Sequence, residues 1–321
     1  SEKAINNEKC YPLKVFVCHH CWLVQTQDFV NKDEMFSAEY AYFSSVSKGW
    51  LEHAREYSEM IINRLSLTNT SKVLEIASND GYLLKNFVLA GIPCLGVEPT
   101  LATAHVARKK GIPVVSEFFT KKTCEELVKL NGTADLIIGN NVLAHVPDIN
   151  DFVSGLKLGL SAEGTVTLEF PHLMELVDKN QFDTIYHEHF SYLSLSVVSN
   201  IFKRHHLKIY DVEQLVTHGG SLRVYVCHEN ANISIENSVA TLLDIEKEIG
   251  VLSLSYYQSF QQKVEQIKTQ VKAFLISQKQ QGKSVVGYGA AAKGNTLLNY
   301  AGISSELLPV IFDAAPSKQG K

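Results

Sequence analysis

From residue 73 to residue 170 the chain alternates between short apolar runs and helical periodicity, and no other feature restricts its fold as much. Val73–Ala77, Cys94–Glu98, Pro113–Val115, Ala134–Ile138 and Gly164–Phe170 are brief and mostly apolar. Between them, Tyr82–Leu89, Thr100–Lys110, Lys121–Leu130 and Asp148–Leu160 carry apolar residues at helical spacing. Repeated strand–helix units of this length predict an α/β fold, a doubly wound, mostly parallel sheet with helices on both faces. A helix over 47–65 precedes the first unit, with Trp50, Leu51, Ala54, Tyr57, Ile61 and Leu65 at helical spacing.

The flanks read differently. Tyr11–Val17 and Leu23–Gln27 are strand-like and bracket Cys18-His19-His20-Cys21. A C-x-x-C turn between two strands is half of a zinc ribbon. A structural zinc needs four ligands, and Cys10, His19 and His20 are poor substitutes for a second cysteine pair. After a late strand at Ser221–Cys227, residues 236–281 are long, charged and amphipathic, the pattern of one or two helices. A second strand–glycine loop–helix unit opens at Ser284–Gly289, and Leu308–Asp313 is its next strand. The expected division is a partial zinc module at 1–35, a central domain at 36–200 and a C-terminal Rossmann-like domain at 201–321, incomplete because its sheet stops after two strands.

Composition excludes several classes. A net charge of −4 spread over 321 residues makes no electrostatic case for a nucleic-acid or membrane-surface partner. The longest apolar runs are strand-sized, too short to span a bilayer. No basic-then-apolar leader opens the sequence, and isolated Cys94, Cys124 and Cys227 read as buried small hydrophobes, so a cytoplasmic protein is expected.

Two constellations carry chemistry. The first is Glu75-Ile76-Ala77-Ser78-Asn79-Asp80-Gly81, between a strand and a helix, where a tight turn lets a ligand approach the backbone. The next strand ends in Glu98, where an acid can accept both hydroxyls of a ribose. One glycine, with an acid ending the first strand, is not the G-x-G-x-x-G of a pyrophosphate site. An acid before the turn suits a cationic nucleoside, and S-adenosylmethionine fits. Glu117 and Phe118 follow the third strand, near where adenine would lie, although Phe118 and Phe119 also read as core. Asn140 and Asn141 end the fourth strand, at the crevice or capping the next turn. The candidate donor residues are Glu75, Ala77, Asn79, Gly81, Glu98, Glu117, Phe118, Asn140 and Asn141.

The second constellation is Phe182-Asp183-Thr184-Ile185-Tyr186-His187-Glu188-His189-Phe190, a polar cluster in an apolar frame that is costly to desolvate unless bonded or used. His187 reads as a surface pair, and His205-His206 as a solvated helix end. His218-Gly219-Gly220-Ser221, with Arg223 beyond it, is either a ligand loop or a plain turn. Gly287-Tyr288-Gly289-Ala290-Ala291-Ala292-Lys293 is a short glycine loop opening a helix, suited to a diphosphate with Lys293 as counter-charge.

Glu75–Gly81, Asn140–Pro147, Tyr186–Phe190 and Gly287–Ala290 together resemble the sugar C-methyltransferases, which methylate carbon 3 of nucleotide-linked 4-keto-6-deoxy sugars. The resemblance runs through essentially the whole chain in the same order. It implies an N-terminal zinc module, a central Rossmann-like methyl-donor domain and a C-terminal Rossmann-like domain. It implies Tyr40, His145, Tyr186, Glu188 and His189 in the active site, with His189 as base. It also implies that His218, Gly219, Arg223, Tyr288, Gly289 and Lys293 hold the sugar nucleotide and that Cys18 and Cys21 bind metal. The chain departs from the pattern in keeping one cysteine pair and in stopping at Lys321, short of the family's end. The expected reaction is deprotonation of carbon 3, acidified by the carbon 4 ketone, and methylation of the enolate carbon. O- or N-methylation on the same donor domain, and a non-catalytic remnant that only binds donor or sugar nucleotide, are the competing readings.

Overall fold

The computed structural model describes residues 11–27, 43–314 and 319. Strands β1 (Val15–Val17) and β2 (Val24–Thr26) flank the Cys18–Cys21 turn and pair antiparallel. Helix α1 (Lys48–Arg64) starts where the Ser47 side chain accepts the Trp50 N–H, and it buries Ala54, Tyr57, Ser58 and Ile61. The alternating region then gives β3 (Val73–Ile76), α2 (Leu84–Leu89), β4 (Cys94–Val97), α3 (Leu101–Lys109), β5 (Val114–Val115), α4 (Lys121–Asn131), β6 (Ala134–Asn140), α5 (Ile149–Gly159) and β7 (Leu160–Pro171). Caps fix two of these helices. The Thr120 side chain accepts the Thr123 N–H at the head of α4, and Asp148 accepts two N–H groups at the head of α5. Helix α6 (Leu173–Asp178), β8 (Ser191–Tyr192), α7 (Leu195–Arg204), β9 (Leu207–Leu215) and β10 (Ser221–His228) follow. Then come α8 (Asn237–Ile249), α9 (Leu254–Gln258), α10 (Phe260–Gln280), β11 (Gly287–Tyr288), α11 (Ala292–Ala301) and β12 (Ile311–Phe312).

The chain forms two compact units. The larger comprises residues 30–172 and 193–245 and holds a seven-stranded sheet ordered β5-β4-β3-β6-β7-β10-β9. The first five of these strands are mutually parallel, and β10 runs antiparallel to both β7 and β9. This is the expected α/β, doubly wound, Rossmann-like sheet. The strand order reverses between β3 and β6, which is where such sheets open a ligand crevice at their carboxyl ends. Every residue of β3 is buried, and β6 is buried along nearly all its length, because helices cover both faces. The core on one side joins Tyr57 and Ile61 of α1, Leu83, Leu84 and Phe87, Leu136 and Ile138 of β6, and Tyr225 and Cys227 of β10.

The sheet does not end at residue 200, as the expected division has it. β9 and β10 form its antiparallel edge, so the donor unit needs residues out to 245. The smaller unit collects residues 1–29, 173–192 and 246–321. There β2 pairs with both β1 and β8, and β11 runs parallel to β12. Val24, Leu173, Leu176, Val177 and Tyr192 form its apolar centre, with Ile185, Tyr256, Tyr257 and Phe260 packed around them. Among the described residues no helix is long and apolar enough to cross a membrane.

Candidate functional site

The loop after β3 is built to bring backbone and carboxylates together. Ala77, Asn79 and Gly81 all have positive φ, at 56°, 49° and 74°. Gly81 is required twice over, because a Cβ there would also lie 2.3 Å from Ile112 Cδ1. Ala77 has no such freedom, and a non-glycine residue held there stores strain of the kind found at binding loops. Glu98, at the end of β4, accepts the Asn79 N–H at 2.9 Å on one oxygen and the Thr100 N–H at 2.8 Å on the other. Its carboxylate is thereby set beside the loop with lone pairs to spare.

Three acids meet here almost without solvent. Glu75 and Asp80 are each 1 % exposed and Glu98 4 %. Burial, reinforced by the charges of Glu98 and Asp80, pushes the Glu75 carboxyl well above its ordinary value. Lys110 answers only Asp80, at 3.2 Å. Glu75 Oε2, Asp80 Oδ1, Ser78 Oγ and Asn140 Oδ1 are buried with no hydrogen-bond partner among the described residues. A pocket rich in unanswered acceptors fits a cation that also presents hydroxyls and amines, which is the chemistry of S-adenosylmethionine. Glu75 would hold positive charge and Glu98 ribose hydroxyls. Glu117 stands exposed, with Thr123 Oγ1 3.4 Å from its carboxylate. Phe118 is half-buried, and its carbonyl accepts from the same hydroxyl. Phe119 packs on Phe152, so it belongs to the core.

A second polar cluster in the same unit was not anticipated. Glu169 of β7 is fully buried and sits opposite Asn140 in the sheet. His53 Nε2 lies 2.8 Å from its Oε2, Arg223 Nη2 donates to it at 3.1 Å, and the Thr217 hydroxyl donates to Oε1 at 2.9 Å. Burial alone would raise this carboxyl, but the His53 hydrogen bond and the His53 and Arg223 charges hold it below the ordinary value. Arg223 also bonds Glu213 at 2.9 Å and lies over the Tyr57 ring. Arg223 was expected to meet the sugar nucleotide. The structure instead gives its guanidinium to two internal carboxylates. Asn141, with φ 53°, donates its N–H to the Glu169 carbonyl and places its amide 3.3 Å from His218 Nε2. Trp50 stacks on His53 with centroids 4.9 Å apart and meets His218 edge-on. His145 closes the short turn after β6, and Gly219 has φ 89°. The sequence did carry a signal for Glu169: it is the lone charge in the buried run Thr165–Phe170.

The smaller unit holds the Tyr186–His189 cluster. His189 is 7 % exposed, and its Nδ1 lies 2.8 Å from the Thr184 carbonyl. A carbonyl only accepts, so Nδ1 carries the hydrogen and Nε2 is the basic nitrogen of the neutral ring. Tyr186 lies against that ring, with centroids 4.1 Å apart. The Thr26 hydroxyl donates to the His189 carbonyl at 2.8 Å, and the Thr26 N–H donates to the Phe190 carbonyl. β2 thus clamps the segment from behind. Glu188 is half-buried. His187 Nε2 lies 3.1 Å from the Pro12 carbonyl and its ring faces Tyr11, which is a structural role. Tyr40 lies outside the described residues.

Two further predicted groups fall in this unit. At the β11 loop Gly289 has φ 97°, Tyr288 is 81 % exposed, Lys293 is half-buried, and the Ala290 N–H donates to Asp313 at 2.7 Å. At the N-terminal turn, the backbone N–H groups of Cys21 and His20 lower the Cys18 thiol below its ordinary value. Among the described residues no three histidines, cysteines or acids come together as a metal site. Two cysteines do not complete a structural zinc.

A parallel sheet that reverses order beside an acid-lined loop, with buried acceptors awaiting a cation, is the donor domain of an S-adenosylmethionine-dependent methyltransferase. Family models match in the same order. They are "Putative zinc binding domain" over residues 1–36, "Methyltransferase domain" over 50–212 and "C-methyltransferase C-terminal domain" over 216–321. The chain is 34 % identical over 320 residues to the C-methyltransferase NovU of Streptomyces niveus, covering 100 % of this chain and 76 % of that one. It belongs to the C-methyltransferase family. Among solved structures it is similar to the magnesium protoporphyrin IX methyltransferase ChlM of Synechocystis PCC 6803 with bound SAH. That similarity has 14 % identity and a TM-score of 0.44, over 63 % of this chain and 89 % of that one.

Proposed function

We propose that this C-methyltransferase acts on a nucleotide-linked 4-keto-6-deoxy sugar, taking a proton from carbon 3 and placing the methyl there. The observation that carries the reading is His189, a buried imidazole whose Nδ1–H is tied to a carbonyl so that Nε2 is the base. The carbon 4 ketone acidifies the neighbouring C–H, and His189 removes that proton. S-adenosylmethionine, when bound, supplies the electrophilic methyl. Tyr186 or Tyr40 stabilises charge on the ketone oxygen, the largest contribution in many enzymes. Glu188 orients a histidine or a sugar hydroxyl. His145, at the end of the turn after β6, lies on the crevice side of the donor sheet and serves either role. His218, Gly219 and the β11 loop, with Tyr288, Gly289 and Lys293, hold the nucleotide diphosphate. Among the described residues no cysteine is disulfide-bonded, which suits a reducing cytoplasm where nucleotide sugars are made.

The test is incubation with S-adenosylmethionine and a panel of nucleotide-linked 4-keto-6-deoxy sugars, followed by mass spectrometry. A gain of one CH2 on the sugar is expected, with NMR placing it on carbon 3. Solvent deuterium entering carbon 3 before transfer separates carbon methylation from O- or N-methylation, which has no need to break a C–H bond. Donor binding with no gain on any sugar would reject this acceptor class.

A further inference from the structure

The Glu169 cluster does more than tie α1 to the sheet. Its carboxylate is held ionised by Arg223 and Thr217, so the His53 nitrogen at 2.8 Å must offer it a hydrogen. Nε2 therefore carries a hydrogen. Nδ1, on the other side of the ring, has no hydrogen-bond partner among the described residues, and the side chain is 19 % open to solvent. The ring is held flat against Trp50, whose indole also reaches Tyr82, the residue that follows Gly81 of the donor loop. Glu169 itself sits opposite Asn140, at the carboxyl end of the strand that borders the crevice. A carboxylate-fixed imidazole with one nitrogen outward is the arrangement that passes a proton to and fro. A purely structural pair has no need to leave Nδ1 without a partner on a ring that is partly open to solvent.

We propose that His53 is a further catalytic residue of the methyl transfer, the partner of the acceptor's carbonyl oxygen. The inference rests on the reading of the acceptor as a ketosugar. As the base takes the carbon 3 proton, the C–H pair moves into the carbon 3–carbon 4 bond. For this step His53 enters as the imidazolium, its Nε2–H on Glu169 and its Nδ1–H outward, and the carbonyl oxygen takes the Nδ1 proton. As the carbon–methyl bond forms and the methyl–sulfur bond breaks, that oxygen returns its proton to Nδ1 and the ketone is restored. The net reaction releases only the carbon 3 proton, and His53 ends as it began. Glu169 is a positioning residue, because it acts through His53.

The decisive variant is His53→Gln. Its side-chain amide can still donate to Glu169, so a structural role is kept, but it carries no exchangeable proton of suitable acidity. Expected are an unchanged melting temperature, an unchanged Kd for S-adenosylmethionine, a kcat ~100- to 10,000-fold lower and deuterium entry at carbon 3 slowed in proportion. Wild-type rates of exchange and transfer in His53→Gln would overturn the proposal while leaving the ketosugar reading intact. If the wild-type protein neither exchanges nor methylates any ketosugar, the ketosugar reading falls and this proposal falls with it. Should His53→Gln fail to fold, His53→Leu packs on Trp50 while Glu169 keeps Arg223 and Thr217, and the same loss with intact donor binding is expected.

Discussion

Replacing Glu75 with glutamine should move stability and donor affinity in opposite directions, and both follow from its surroundings. The carboxyl is 1 % exposed, next to Glu98 and Asp80, and its folded-state value lies well above the ordinary 4.5. As pH rises past 4.5 the unfolded chain gives up this proton and the folded chain keeps it. The folded state then binds more protons than the unfolded state, so stability falls with rising pH until the folded-state value is passed. The slope is about 1.4 kcal/mol per pH unit. Glu75→Gln removes that slope. Urea melts of both proteins without ligand, between about pH 5 and 8, should show the variant gaining on the wild type by up to that amount per unit. Other titrating groups cancel in the difference.

Donor binding should respond the other way. A hydrogen bond to a charged group contributes about 1.5–3 kcal/mol, so losing the carboxylate should weaken S-adenosylmethionine about 10- to 150-fold. Binding to the wild type should also release a proton, since the cation favours the ionised carboxylate. Calorimetry in buffers of different ionisation enthalpy reads that proton directly, and Glu75→Gln should lose it. A variant that is less stable across the pH range, or that binds the donor as well as the wild type, would refute the argument that this acid is kept for a cationic ligand.

Gly81→Ala should cost about 2–4 kcal/mol, combining a left-handed backbone with a side chain forced into packed space. Adding Ile112→Val removes the atom 2.3 Å from the new Cβ and should recover the steric part only, as urea midpoints would show. His189→Asn should lower turnover ~100- to 10,000-fold and leave the Kd for S-adenosylmethionine unchanged; unaltered turnover removes His189 as base. Glu169→Ala should destabilise by about 3–5 kcal/mol, since Arg223 is left buried with less counter-charge. Glu169's folded-state value is lowered, so its contribution is fully present above pH 4.5 and is lost as pH falls through the folded-state value. The deficit of the variant should therefore shrink in acid, and a deficit independent of pH would contradict that.

The parallel strands were readable because burial on both faces forces continuous apolar runs, and β3 and β6 show them. The meeting of Glu75 and Glu98 was readable because both stand at the ends of parallel strands, where chain order alone puts them at one edge of the sheet. Unit membership was not readable. Nothing local in residues 173–192 says that they pack with β1, β2 and 246–314, and nothing in β9 marks it as the edge of a sheet begun 134 residues earlier at Val73. The internal partners of Arg223 were not legible, because the sequence shows a cation without showing what it meets. Its main partner, Glu169, lies 54 residues before it, and His53 a further 116 before that.

Glu75 and Glu169 make the general point sharper. Both are buried acids on neighbouring parts of one sheet, and burial alone would raise both. Glu169 is met from β10, α1 and the Thr217 turn, so its charge is satisfied within the protein and its value falls. Glu75 is buried with only acids as its charged neighbours, and its value rises. A fold that needed both acids for architecture alone would have supplied a cation to each, since an unanswered buried charge is among the costliest things a core can hold. It supplied one to Glu169 and none to Glu75. The same logic separates the two histidines. A carbonyl fixes the proton on Nδ1 of His189, while a carboxylate fixes it on Nε2 of His53. Each ring is thereby committed to one working nitrogen.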